Sequence, residues 1–418
     1  MSEVTWEITS LSELGTFSRG KSKHRPRNDI KLFEGGTYPL VQTGDVKAAN
    51  LYITKNDSYY NDFGLKQSKL WPAGTLCITI AANIAETAIL SYPMCFPDSI
   101  VGFNANPEKS SELFVYYFFE YIKKEIQKSA SGSIQDNINI DYLSKMRIKV
   151  PEKEYQDKIV DLLSSIDKKI LLNNQINQEL EDMAKTLYDY WFVQFDFPDQ
   201  NGKPYKSSGG KMVYDPELKR EIPEGWGVET LKDFESKIIT GKTPSRANSD
   251  NFGGEIPFIT IGDIRGNTFI YSTSETLTDL GASVQQNKYL PEGSLCVSCI
   301  ATVGEIGFTT EWSHTNQQIN SIVFEDETNR YYLYFALKNY FENANASAKT
   351  GNTFANMNKE DFSGIRIILP RNEIKNNFHK ITEPYFAQIK CLQGQNQELT
   401  QLRDWLLPML MNGQVKVE

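Results

Sequence analysis

The stretch "NQEL" occurs as Asn177–Leu180 and again as Asn396–Leu399, 219 positions later. One four-letter match carries little, but the offset persists. "SGSIQDNINIDYLSKMRIKVP" (Ser131–Pro151) faces "TGNTFANMNKEDFSGIRIILP" (Thr350–Pro370), pairing Gly132 with Gly351, Asn137 with Asn356, Asn139 with Asn358 and Arg147 with Arg366. Upstream, "LWPAGTLCI" faces "YLPEGSLCV", with Pro72, Gly74 and Cys77 over Pro291, Gly293 and Cys296. Nearer the start the register slips: "YPLVQTGDVK" (Tyr38–Lys47) faces "IPFITIGDIR" (Ile256–Arg265) at 218, and Trp6 faces Trp226 at 220. Slips of this size are what loop insertions leave. The chain is two diverged copies of one unit, and a repeat of this kind takes precedence over any local reading.

Composition agrees. At 418 residues, a prior of roughly 150 per domain gives two or three domains, each large enough for a core of its own. Five cysteines, one of them isolated near the C-terminus, argue against a secreted disulfide framework. No apolar run approaches the ~18 residues of a membrane span, and the polar opening "MSEVTWEITS" does not resemble a signal peptide; the expected compartment is the cytoplasm. The net charge of −9 weighs against nucleic acid, whose phosphates call for Lys and Arg, unless the basic residues are concentrated locally.

Each unit has two parts. The first holds short β-like runs punctuated by Gly, Pro and Asn, "LCITIAANIAETAILSY" in one copy and "LCVSCIATVGEIGFTT" in the other, with one apolar helical stretch, "SSELFVYYFFEYIKKEIQ" or "NRYYLYFALKNYFENA". That mixture predicts an α+β domain. The second part changes period. Apolar residues fall at Ile159, Leu163, Ile166 and Ile170, then at Leu180, Ala184, Leu187 and Trp191; in the other copy they fall at Phe378, Ile381, Tyr385, Leu392, Leu399, Leu406 and Leu410. Steps of three and four predict a long helix with a seam for another helix. Pro151 and Pro370 stand just before these helices, and Pro384 predicts a kink or break in the second. Asn173, Asn177 and Asn396 lie midway along the seams, either as buried polar residues that fix register or as a solvated bend. The expected boundaries are 1–151 and 226–370 for the α+β domains, 152–198 and 371–418 for the helices, and 199–225 for a polar linker without periodicity.

No catalytic centre is expected. "TGKTPS" has the letters of a phosphate loop, but Ser236 stands where its first Gly belongs. No glycine loop or Asx-Pro-Pro-aromatic signature of a DNA methyltransferase is present. Cys296 and Cys299 fall on a strand-like run that points them oppositely, with no second pair for zinc; no metal site is expected. Pro198-Asp199 followed by Glu217-Leu218-Lys219 matches a nuclease pattern in letters only, because that chemistry needs its acids on neighbouring strands. Glu86 and Glu305 read as turn residues, and the three histidines share no spacing with a nucleophile.

Basic charge is nonetheless local. "RGKSKHRPRNDIK" sets Arg19, Lys21, Lys23, Arg25, Arg27 and Lys31 against one acid, Asp29, and the matching "TGKTPSR" holds Lys242, Thr243, Ser245 and Arg246. Screening makes distant acids matter little to such a loop, so it can meet phosphates; the alternative is a solvated basic loop. For base edges the candidates are Gln42, Thr43, Asp45 and Lys47, with Thr260, Asp263 and Arg265 in the second copy. A plain Gly-Asp turn is the competing, and favoured, account of the two aspartates.

Taken together, the Trp and "G-K-S/T" opening of each copy, the long helix that follows, and the central "GKPYKSSGGKMVYDPELKREIPEGW" resemble the specificity subunit of type I restriction–modification systems across essentially the whole chain. That resemblance implies two target-recognition domains, each reading half of a split duplex DNA site, and two helices paired as an antiparallel coiled coil. It further implies two docked methyltransferase subunits that use S-adenosylmethionine, translocating restriction subunits beside them, and no chemistry in the chain itself. The other readings are a specificity subunit of a type II-like or nuclease-free complex, or a coiled-coil scaffold joining two protein-binding domains.

Overall fold

The computed structural model describes residues 4–81, 83–132, 139–348 and 356–417; Asn137 and Gly351 of the repeat lie outside them. The chain forms two compact units, Met1–Lys169 with Leu399–Glu418, and Ile170–Glu398.

Both units are built to one plan. In unit 1 a five-stranded sheet runs in the spatial order Gly15–Arg19, Ile100–Ala105, Leu76–Thr79, Thr87–Leu90, Tyr52–Ile53; in unit 2 the order is Ile238–Thr240, Ile319–Ile322, Leu295–Ser298, Ile306–Thr309, Phe269–Ile270. The last strand of each pairs parallel and the others antiparallel. "LCIT" and "LCVS" are buried at every position, as strands covered on both faces must be. A second, smaller sheet repeats as well: Tyr38–Leu40 lies between Ser58–Tyr60 and Met94–Cys95, and Phe252–Ile259 lies between Glu275–Leu277 and His314–Thr315. The first strand of each repeat closes on its last, Trp6–Ser10 on Arg147–Pro151 and Gly227–Thr230 on Arg366–Leu369. The aromatic helices Glu112–Gly132 and Arg330–Ala348 carry Phe114, Tyr117 and Phe119, or Tyr332, Tyr334 and Phe335, into the two cores.

Long helices Lys153–Tyr188 and Asn372–Met411 follow the two domains. Within unit 2, Trp191 lies 6.1 Å from Phe378, and Asn173 Nδ2 donates to Asn396 Oδ1 at 2.9 Å. Within unit 1, Asp167 pairs with Arg403 at 2.9 Å, and Tyr155 Oη reaches the Val415 carbonyl at 3.4 Å. In each unit numbers rise along one helix as they fall along the other, so the segments pair antiparallel. Ile159, Leu163, Ile166, Phe378 and Leu392 are buried, and Leu180, Leu187 and Leu406 pack half-buried against the cores. Ile170, Leu399 and Asn396 are intermediate. Asn173 and Asn177 are buried seam residues rather than a solvated bend; Asn173 is bonded across the seam, whereas no partner of the Asn177 amide is found among the described residues.

Three expectations are corrected. Ile381 is 41% exposed; the seam position belongs to the neighbouring Thr382, fully buried with its hydroxyl donating to the Phe378 carbonyl at 2.9 Å. Periodicity chose the apolar neighbour because a buried threonine that bonds back to its own helix leaves no apolar signal. Pro384 does not break the second helix, which continues through it with the ring on the exposed side. The polar linker 199–225 is not all loop. It contains the hairpin Met212–Asp215 with Arg220–Pro223, while Tyr205 stacks on Phe197 at 4.7 Å and Phe197 on Trp226 at 5.0 Å. Its strands are only four residues each, with half of their positions exposed, and "SSGG" just before them reads as loop.

Candidate nucleic-acid interface

In both units the basic loop and the short helix after it are anchored to one segment between them. In unit 1 the Gly20 amide donates to the Ile100 carbonyl, Lys21 to Phe96, and Val41 to Cys95. In unit 2 Gly241 donates to Ile319 and Lys242 to Thr315, while Asn316 donates to Ile259. The chain 95–98, and its counterpart 315–318, therefore carries a basic loop along one edge and a helix start along the other. The glycine of "G-K-S/T" has a steric reason. A Cβ on Gly20 would stand 2.2 Å from the Pro97 oxygen, and one on Gly241 would stand 2.2 Å from the Asn316 oxygen. It permits close backbone approach and is not a phosphate cradle.

The loop side chains divide into tethered and untethered. Arg19 Nε donates to the Asp98 carbonyl at 2.5 Å, Arg27 pairs with the Asp98 carboxylate at 2.6 Å, and Arg25 reaches it at 3.6 Å while donating to the Ser22 carbonyl. His24 binds Asp29 at 2.7 Å, and that hydrogen bond with the Lys31 amide holds the Asp29 carboxyl below its usual range. Lys21, Lys23 and Lys31 are exposed, and no ion pair holds them among the described residues. In unit 2 the Thr243 hydroxyl donates to Gln317 Oε1 at 2.6 Å, Ser245 is exposed, and Lys242 projects into solvent. Arg246 makes a two-pronged pair with Glu275, both contacts 2.8 Å, and lies over the Phe252 ring. Asp98, Gln317 and Glu275 were not legible as loop partners, being distant in sequence and each unremarkable alone.

The aspartates proposed for base edges are capping residues. Asp45 Oδ2 accepts from the Gln42 amide at 2.7 Å at the start of Thr43–Ala48. Asp263 Oδ2 accepts from the Thr260 amide and hydroxyl, both at 2.7 Å, and its other oxygen accepts from the Ser274 amide at 2.8 Å. Those oxygens stabilise the first helical turn and leave Asp263 little capacity for a base. Thr260 is committed to the same cap, and Arg265 is held by Glu305 at 3.2 Å and Thr302 at 3.1 Å. Gln42 and Lys47 remain exposed, with Thr43 half-buried between them.

The rejected catalytic patterns stay apart. Asp199 closes a turn on the Asn201 and Lys203 amides, and Glu217 pairs with Arg366 at 3.2 Å. Cys296 and Cys299 lie in different core clusters, where burial pushes their thiols up to about 12 and about 11. Among the described residues no three His, Cys, Asp or Glu side chains gather as metal ligands, and no helix is long and apolar enough to cross a membrane. Glu86 and Glu305 each sit in the turn after a central strand, paired with Lys123 and Arg265.

The chain is thus a duplicated α+β unit with a corresponding loop and capped helix start in each copy, and a long helix after each. The type I restriction modification DNA specificity domain family matches residues 3–182 and 223–401. The chain is 36% identical to the type I restriction enzyme HindI specificity subunit of Haemophilus influenzae, covering 93% of this chain and 97% of that one. It is 26% identical to the MjaIX specificity subunit of Methanocaldococcus jannaschii, covering 99% and 94%. A crystal structure of a type I restriction–modification S subunit from M. genitalium shares the fold with a TM-score of 0.55 at 15% identity, over 98% of this chain and 97% of that one. The chain belongs to the specificity subunits of type I restriction–modification systems, the non-catalytic component of those systems.

Proposed function

We propose that this specificity subunit reads a split site on duplex DNA, one half with each unit, and that methyltransferase subunits dock on it and supply S-adenosylmethionine chemistry. The observation that carries the reading is a recurrence: a loop with at least one untethered lysine and a capped helix start, held by backbone hydrogen bonds to corresponding segments in both units. Paired readers on duplex DNA take paired half-sites, and because the loops have diverged, the half-sites differ. In this reading the lysines supply sequence-independent phosphate contacts, and the exposed Gln42 and Lys47, with Thr43, are the groups assigned to base edges. Translocating restriction subunits would join the same assembly. Selection of bound fragments from random duplexes, with the methyltransferase subunit present, tests this. The expected product is two dissimilar short motifs at a fixed gap; one continuous motif, or no enrichment, rejects the reading.

A further inference from the structure

The two basic loops are unequal. Unit 1 offers Lys21, Lys23 and Lys31 from a single loop, whereas "TGKTPSR" loses Arg246 to Glu275 and retains only Lys242. The fold compensates from elsewhere. Lys288, on the turn before Leu295–Ser298, donates through Nζ to the Thr240 carbonyl at 2.7 Å and the Gly241 carbonyl at 3.4 Å, which sets its ammonium on the root of the loop. A run of hydrogen bonds then leads sideways. Thr243 bonds Gln317, the Cys299 amide donates to Gln318, and the Met357 amide donates to Cys299. The exposed Lys359, first residue of Lys359–Ser363, stands two residues beyond Met357 on this run.

Resting on the DNA reading above, we infer that Lys242, Lys288 and Lys359 together form the phosphate-contact patch of unit 2, and that Arg246 is not part of it. Among the described residues none of the three lysines is in an ion pair. Burial lowers the Lys288 ammonium from its ordinary range, and the charges of Lys242 and Lys359 lower it further. A bound phosphate relieves that repulsion. The position of Lys288 is also repeated: 219 residues earlier stands Lys69, exposed, with its ammonium 3.7 Å from the Trp71 ring centroid, and the nearby Lys23 amide donates to the Gln67 carbonyl. Lys359 has no such counterpart, since Ile140 stands at its offset. Beyond the lysine shared as Lys69 and Lys288, unit 1 gathers its further charge in one loop, whereas unit 2 draws on Lys242 and Lys359 from separate elements.

The test is the slope of log affinity against log salt for the full-length chain on random-sequence duplex. Each lost phosphate contact lowers that slope by about 0.9. Lys242→Gln and Lys359→Gln are each expected to do so and to weaken all duplexes alike, while Arg246→Gln leaves the slope unchanged. Lys288→Gln should lower it and Lys288→Arg should keep it; equal loss in both would remove Lys288 from the patch. Unchanged slopes in K242Q and K359Q, with Lys21→Gln still lowering the slope, would overturn the patch while leaving DNA binding intact. A wild-type chain with no salt-dependent affinity would overturn the DNA reading and the patch together.

Discussion

Gly20 and Gly241 show how a short shared word acquires meaning only in three dimensions. Each lies where two backbones meet, the loop on one side and the carbonyls of Phe96 and Pro97, or of Thr315 and Asn316, on the other. Neither position demands a left-handed backbone, so the constraint is contact, not conformation. An added methyl must push one chain away, and overpacking of this kind costs roughly 1–3 kcal/mol. Gly20→Ala and Gly241→Ala are therefore expected to lower thermal stability measurably and to weaken the DNA half-site of their own unit, leaving the other half-site read as before. A variant that bound both half-sites normally would show that the loop needs no such anchor. Sequence identified these glycines through the repeat, and identified Asp45 and Asp263 through Gly-Asp spacing. It could not distinguish a capping carboxylate from one free to meet a base, because the partners Gln42, Thr260 and Ser274 become visible only once the turn is formed.

At the scale of elements, helix pairing was legible from the apolar seam and from the asparagines midway along it, but not from the threonine and the charged residues that share it. Ile159, Leu163, Phe378 and Leu392 stand where a period of three and four places them, but Thr382 displaced Ile381. The seam also carries Asn173 bonded to Asn396, and Asp167 held by Arg403 and by the Tyr117 hydroxyl at 2.6 Å. None of these polar residues contributes to an apolar count. Phe378→Ala should cost about 3–5 kcal/mol, as for a large buried aromatic, whereas Ile381→Ala should stay within about 0.5 kcal/mol. Asp167→Asn falls between, near 2 kcal/mol; a fully buried pair would lose roughly 3–5, but Arg403 keeps 29% of its side chain exposed. Urea unfolding of the three variants checks the order, and an Ile381 variant as damaging as Phe378 would restore the register read from periodicity. The hairpin in 199–225 was missed for a different reason. Its strands are four residues each, with half of their positions exposed, and the Tyr205–Phe197–Trp226 stack joins residues whose spacing is neither helical nor alternating.

The whole molecule is one unit written twice, and each compact unit takes part of both long helices: Lys153–Tyr188 is divided at Lys169, and Asn372–Met411 at Glu398. At the repeat offset of 219 the two division points, Lys169/Ile170 and Glu398/Leu399, fall 10 residues apart, the second inside the second "NQEL". If the helices act as the ruler between two readers, their length enters the recognition rule directly. Inserting one heptad after Lys169 and one after Glu398 adds about 10 Å of helix at 1.5 Å per residue. A heptad drifts only ~20° from a straight helix, so the seam survives. At roughly 3.4 Å per base pair, the preferred gap between half-sites should lengthen by about three base pairs. The half-sites themselves should not change, because Lys21, Lys242, Gln42 and Lys359 lie in folded parts that the insertion leaves untouched. Genome-wide mapping of methylated sites in a strain carrying the lengthened subunit measures both quantities at once. An unchanged gap, or new half-sites at the old gap, would mean that the distance is set elsewhere than in the helices.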